Sequence, residues 1–348
     1  MSTTMNKTSA RVYRLGPASV ILRPRTLLVC SLLAVAIAAI LLGTVGSGYL
    51  GIAPLRVIDV LLGGGTHLER HAVLQLRLPR VLLALLAGAG LALSGAIFQS
   101  LTRNPLGSPD VMGFTSGAYA GVVVSILLLG GGREAVQAGA IVGGLATAGI
   151  VYALAYRRGV QGFRLIIVGI ALSMVLSAAT TWLMLRARVD IAMSAAIWGT
   201  GSLNGATWAD VAQVAVALAV LLPAVVLGSW VLRAMSLGDD LAAGLGVRLR
   251  WAMLGLTVLG VALSASVVAV TGLILFIALA APQLARQLVG GASVPFAATA
   301  LLGAALLSAS DWIAQFGLPE RQLPVGVVTV CLGGGFLVWL LIKEARRT

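Results

Sequence analysis

The sequence predicts an all-α polytopic membrane protein with ten transmembrane helices, and three observations predict it. Of 348 residues, 59% are hydrophobic and only 10% charged, where a soluble chain carries about a quarter charged. The apolar runs are about 20 residues long, the length of a helix across ~30 Å of hydrocarbon, and lack the short alternating segments of a barrel strand. The basic residues divide unevenly between the two sides that those runs define.

The expected spans are 26–46, 80–100, 111–130, 134–156, 163–185, 208–232, 251–270, 272–290, 295–315 and 323–342. Only Val270-Thr271-Gly272 separates the seventh from the eighth. Ten spans put both termini on one side. With that side cytoplasmic, eight of the 24 Lys and Arg fall outside: Arg56, Arg70, Arg77, Arg80, Arg133, Arg186, Arg188 and Arg321. The rest lie inside, as the positive-inside rule requires. Residues 1–25 then form a cytoplasmic segment, 26–342 the membrane domain and 343–348 a cytoplasmic tail. The first 25 residues hold Lys7, Arg11, Arg14, Arg23 and Arg25 without a small-residue cleavage motif, so the first span reads as retained. The net charge of +13 is explained by helix-end arginines and calls for no nucleic acid.

Three segments between spans stand out. Residues 47–79 form a long outer loop in which PLRVIDVLLGG suits a short interfacial helix. Residues 186–207 are too apolar for an ordinary loop and too rich in Gly to span, which predicts a short re-entrant or lid helix. Residues 233–250 form the longest inner loop, with one helix over DDLAAGLG stopped by Gly244 and Gly246. Small-residue stripes such as LLAGAGLALSGA and GAIVGGLATAG predict close helix packing, a bundle property rather than a functional one.

Several chemistries are missing. No carboxylate falls at the middle of a span; Asp210 and Asp311 lie nearest, both towards outer ends, which disfavours an ion-coupled secondary carrier. His67 and His71 stand four apart in the outer loop without a third ligand, and Cys30 and Cys331 lie in apolar spans. No metal site, disulfide or cofactor is indicated. No G-x-x-x-x-G-K-[ST] occurs, nor any paired catalytic constellation. Uphill transport would draw its energy from a partner.

One inner loop, LTRNPLGSPD (Leu101–Asp110), is too polar and too proline-rich to lie in lipid or to continue a helix. It is either a spacer or backbone lining a wet passage. The run RLPRVLLALLAGAGLALSGAIFQSLTRNPLGSPDVMGFTSGA around it resembles the signature of iron-siderophore and cobalamin ABC importer permeases, the FecCD-type family. Further matches follow in order: W-G-T-G-S-L at Trp198, S-L-G-D-D-L-A-A-G-L-G at Ser236 and Q-L-P-V-G-V-V-T at Gln322. The resemblance covers nearly the whole chain, and among family members is strongest to permeases for ferric catecholate siderophores.

The resemblance implies a type II ABC importer permease in the bacterial inner membrane. Its partners would be a homologous permease or a second copy, two cytoplasmic ATPases, and a periplasmic or lipid-anchored binding protein that delivers ferric siderophore. Arg77 and Arg80 match arginines that receive acidic side chains of the binding protein, a task for the planar guanidinium fork; interfacial snorkelling is their other use. Family members often carry an arginine where Gln315 stands, with Arg321 as the nearby substitute. Asn104 and Leu106 match the cytoplasmic gate, and Trp198, Gly199, Gly201 and Ser202 the outer lid. Asp239, Asp240, Ala243, Gly244 and Gly246 match the segment seated on the ATPase. Ser173, Ser177, Thr180 and Thr181 would line the path or bond between helices. Cobalamin and haem are the alternative cargoes.

Overall fold

The computed structural model describes residues 11–15, 18–22, 24–47, 51–155, 162–290, 294–318 and 322–345. Arg321 lies outside them, as do Lys7, Arg23, Arg157, Arg158, Arg346 and Arg347 of the charge pattern. A short antiparallel hairpin, β1 (Arg11–Leu15) and β2 (Ala18–Leu22), precedes the first helix. Every described element from Pro24 onward is helical. The helices follow as α1 (Pro24–Gly46), α2 (Pro54–Leu61), α3 (His67–Arg70), α4 (Leu78–Thr102), α5 (Phe114–Leu129), α6 (Arg133–Ala155) and α7 (Gly162–Arg186). Then come α8 (Val189–Gly199), α9 (Trp208–Met235), α10 (Asp239–Gly244), α11 (Leu249–Thr271), α12 (Ile277–Val289), α13 (Phe296–Phe316) and α14 (Val325–Ala345).

Seven helical segments among the described residues are long and apolar enough to cross a membrane: α1, the continuous stretch His67–Thr102, α6, α7, α9, α11 and α13. Of the three other expected spans, one coincides with α14 and two with shorter helices, α5 of 16 residues and α12 of 13. The reason is visible at α12. Its 13 residues rise about 20 Å, and Gly272–Phe276 run non-helically before it, adding up to ~16 Å of extended chain.

The expected outer loop 47–79 is helical over much of its length. α2 is the helix foreseen in PLRVIDVLLGG, but residues 67–77 also wind up and run directly into α4. Thr66 and Glu69 form a capping box that starts this stretch. His71–Arg77 is π-helical, with the Leu78 N–H bonded to Val73 O. The wide turn sits just ahead of Pro79, whose ring excludes the ordinary α pattern there.

α4 is the axis of the fold. It packs against α9, α11, α12 and α13, and it is buried on all sides from Leu83 to Leu101 apart from a few half-buried positions. Two contacts show why its glycines are needed. A Cβ on Gly88 would overlap the Gly303 carbonyl on α13, and one on Gly95 would overlap Ala278 O on α12. The small-residue stripes are bundle packing, backbone against backbone. α1, α7 and α9 lie around this core and keep most of their surface exposed. Arg25, at the start of α1, donates to Leu288 O at 2.8 Å and so caps the negative end of α12.

Candidate functional site

The loop between α4 and α5 is built by its own polar residues. Arg103 ends α4 in the left-handed conformation (φ 50°). The Leu106 amide then donates to Asn104 Oδ1 at 2.9 Å and the Gly107 amide to Asn104 O at 3.0 Å, closing an Asx turn around Pro105. Gln283 of α12 donates to Pro105 O. Asn104 therefore acts as the fastening of the loop, while Leu106 projects and is 45% exposed. Beyond this turn the chain doubles back: Ser108 is fully buried, its Oγ accepts from the Val111 amide at 3.3 Å, and a turn over 109–113 leads into α5.

The returning strand of the loop carries Asp110 into a cavity of about 330 Å³. Its polar walls are Ser108, Thr115, Ser116, Tyr119, Ser177 and Thr180, and Leu273, Leu275 and Phe276 close the other side. Both Asp110 carboxyl oxygens are buried, and neither completes a hydrogen bond. Burial pushes this carboxyl up to about 7, against an opposing pull from the Phe276 amide. Asp110 stands in a polar loop of the sequence, outside every expected span, and the fold of that loop brings it back among the helices.

Of the four hydroxyls expected to line a path, Ser177 and Thr180 face this cavity, and Ser173 and Thr181 are not among its lining. Ser173, Thr180 and Thr181 donate to carbonyls of their own helix, at 2.8–3.0 Å, rather than to a neighbouring one.

At the inner end, Arg103 reaches across to the next inner loop. Its Nη2 donates to Met235 O at 2.8 Å, at the end of α9, and pairs with Asp239 at the start of α10. α10 itself is exposed except for Ala242, which anchors it. Gly246, at φ 86°, turns the chain away after Gly244, as the Gly stop predicts. Leu237, Leu241 and Leu245 stand 55–62% exposed beside Asp240 and Ala243, a short apolar ridge offered to solvent.

At the outer end three separated motifs meet. The Ser202 amide donates to Thr271 O at 2.8 Å and the Gly326 amide to Gly201 O at 3.1 Å. A Cβ on Gly201 would overlap Leu273 O, and one on Gly326 would overlap Thr200 O. The W-G-T-G-S-L and Q-L-P-V-G-V-V-T segments thus lock onto the α11–α12 turn. Trp198 stacks on Tyr119 with ring centroids 6.2 Å apart and planes at 13°, and Tyr119 also closes around Gly199. The Trp198–Ser202 segment is thus tied to the wall of the Asp110 cavity.

The outer arginines differ in their surroundings. Arg77 is half-buried and donates to Val45 O at 2.6 Å. Arg80 is buried and forked onto Asp311, Nη2 to Oδ1 at 2.9 Å and Nε to Oδ2 at 3.0 Å. Gln315 completes this carboxylate at 2.7 Å, so the residue standing in for the family's arginine belongs to the same network. A second outer pair joins Arg133 to Asp210, which also caps α9 through Thr207. Asp210 and Asp311 are thus each matched by a guanidinium.

These motifs and their convergence find a direct counterpart among known proteins. The FecCD transport family model matches residues 27–343. The chain belongs to that family. The ferric enterobactin transport system permease protein FepG of Escherichia coli K12 is 45% identical over 93% of this chain and 98% of its own. The achromobactin transport system permease CbrC of Dickeya dadantii is 37% identical over 90% of this chain and 91% of its own. In three dimensions the chain is similar to a metal-chelate type ABC transporter solved in an inward-facing conformation. The TM-score is 0.81 at 27% identity, covering 90% of this chain and 99% of that one.

Proposed function

We propose that this FecCD-family chain is a permease subunit of an ATP-driven importer for ferric siderophore, of the catecholate type represented by ferric enterobactin. The observation that carries the reading is the full-length relationship to FepG at 45% identity, spanning the gate loop, α10 and the lid alike. The membrane domain crosses ten times, with α5, α12 and α14 completing the seven long spans and both termini in the cytoplasm of a bacterial inner-membrane protein. A homologous permease faces the exposed surface of α7 and α14, and two separate ATPases supply the energy.

Each end of the molecule has a mechanical part in this reading. The leucine ridge of α10 seats in an ATPase cleft, and Arg103 carries its movement to the loop that bears Asn104 and Leu106. Leu106 meets its counterpart in the facing permease to close the inner gate. The Trp198–Ser202 lid closes the outer side against the α11–α12 turn. Arg77 and Arg321 receive the acidic surface of the substrate-binding protein. Arg80 serves that surface by holding α4 to α13 through Asp311.

The test is uptake of radioiron-labelled ferric enterobactin by iron-starved cells that lack the gene, with and without the chain restored. Restoration that is lost on Arg77→Glu supports both cargo and docking. Uptake indifferent to the chain overturns the cargo and leaves haem and cobalamin to be tried.

A further inference from the structure

Asp110 is an anomaly that the permease reading does not by itself explain. A buried carboxyl that completes no hydrogen bond and feels only the pull of the Phe276 amide is costly to ionise, so such a group is retained where something else uses it. Its surroundings say what. Ser108, Thr115, Ser116, Ser177 and Thr180 are neutral hydroxyls, and Tyr119 is the other titratable group in the cavity wall. Among the described residues, no arginine, lysine or histidine lines the cavity to balance a negative charge. The cavity opens between α5, α7 and the non-helical Gly272–Phe276 segment. It lies under the lid, whose Trp198 stacks on the same Tyr119. Phe276 is held at φ 69°, a costly conformation for a bulky residue, and its ring packs where a side chain on Gly333 of α14 would lie. Strain, an unpaired polar group and a void coincide.

We propose that Asp110, as a neutral carboxyl, is the hydrogen-bond donor of a subsite for an anionic chelate oxygen, so that passage of a negatively charged ferric chelate requires Asp110 protonated. The inference rests on the ferric-catecholate reading above. A tris-catecholate iron(III) complex carries net negative charge on its oxygens; an ionised Asp110 repels it, whereas the protonated acid offers it a donor. The proton stays on Asp110 throughout and no bond is broken. The mirror case is a neutral hydroxamate chelate of iron(III), to which the charge state of Asp110 makes little electrostatic difference.

The experiment uses the whole importer, with partner permease, ATPases and binding protein, reconstituted in vesicles and supplied with ATP. Initial uptake of ferric enterobactin is measured from pH 6 to pH 8.5 for the wild type, Asp110→Asn and Asp110→Glu, with rates normalised to assembled complex. The wild-type rate is expected to fall about tenfold per pH unit once the carboxyl ionises, beyond any slope in ATP hydrolysis. Asp110→Asn should remove that slope and keep the rate at pH 8.5 at least several-fold above the wild type. Asp110→Glu, which still ionises, should retain a slope. A wild-type slope unchanged in Asp110→Asn, or no slope in the wild type, overturns the inference and leaves the permease reading intact. No ferric enterobactin uptake by the wild type at any pH overturns the cargo reading, and the inference with it.

Discussion

Arg103 and Asp239 are 136 residues apart in the chain, and their side chains form an ion pair that joins the end of α4 to the start of α10. Both are about half exposed, so the pair contributes at most about 1 kcal/mol to stability. Its worth lies in connection. α10 is otherwise held by Ala242 and its flanking turns, and Arg103 is the left-handed residue from which the Asn104–Asp110 loop begins.

Asp239→Arg and Arg103→Asp should therefore leave folding and assembly near wild type yet reduce ATP-driven uptake about tenfold each, with ATP hydrolysis retained. The two combined should recover much of the coupling. Uptake per ATP hydrolysed, measured in vesicles, checks this; equal ratios in all three variants would break the link between α10 and the gate.

The outer pair behaves in the opposite way. Arg80 and Asp311 are both buried, so removing one partner strands the other. Asp311→Ala is expected to destabilise the detergent-solubilised protein by about 3–5 kcal/mol, and Arg80→Met with Asp311→Leu to recover most of it. Thermal unfolding followed by helical signal reads both. Arg77→Ala, at a half-buried arginine, should instead weaken association of the binding protein with little change in unfolding temperature.

Gly95→Ala tests the close approach of α4 to α12. The added methyl meets the Ala278 carbonyl, and backbone cannot give way as a side chain tip does. Overpacking of this kind costs about 1–3 kcal/mol or more, and yield of monodisperse protein should fall sharply. Gly149→Ala on α6, where a Cβ meets nothing within 4 Å, is the matched control.

The seven long helices, the short helix α8 and α10 with its Gly stop were legible in the sequence because local rules write them: apolar run length, Gly placement, capping pattern. The Val270-Thr271-Gly272 boundary falls where α11 ends. The winding of residues 67–77 into α4 was not legible, because a loop rich in charge and a following proline mask a π-helical entry. Nor was Arg80's fate. An arginine at a span's outer end suggests a free charge, and its carboxylate partner stands 231 residues on. Asp110 was hidden for a related reason: its position in a polar loop says nothing of the loop's return between α5 and α7. Arg321 lies outside the described residues.

Asp110 also predicts how stability changes with pH. Its carboxyl is raised from 3.8 to about 7 in the folded protein, so between those values the folded state binds more protons than the unfolded. Stability must then fall as pH rises through that window. Asp110→Asn lacks the ionisation. It should match the wild type in unfolding temperature near pH 4 and exceed it at pH 8. Identical pH dependence in the two proteins would place an unseen cation or donor beside the carboxylate.

The most direct test of the central claim is ATP-driven uptake by the purified importer in vesicles, with ferric enterobactin, haem and cobalamin offered in turn. The account predicts accumulation of ferric enterobactin that requires this chain, ATP and the binding protein together, with neither haem nor cobalamin accumulated. Accumulation of haem or cobalamin in its place, or of none of the three with an intact complex that hydrolyses ATP, would contradict it.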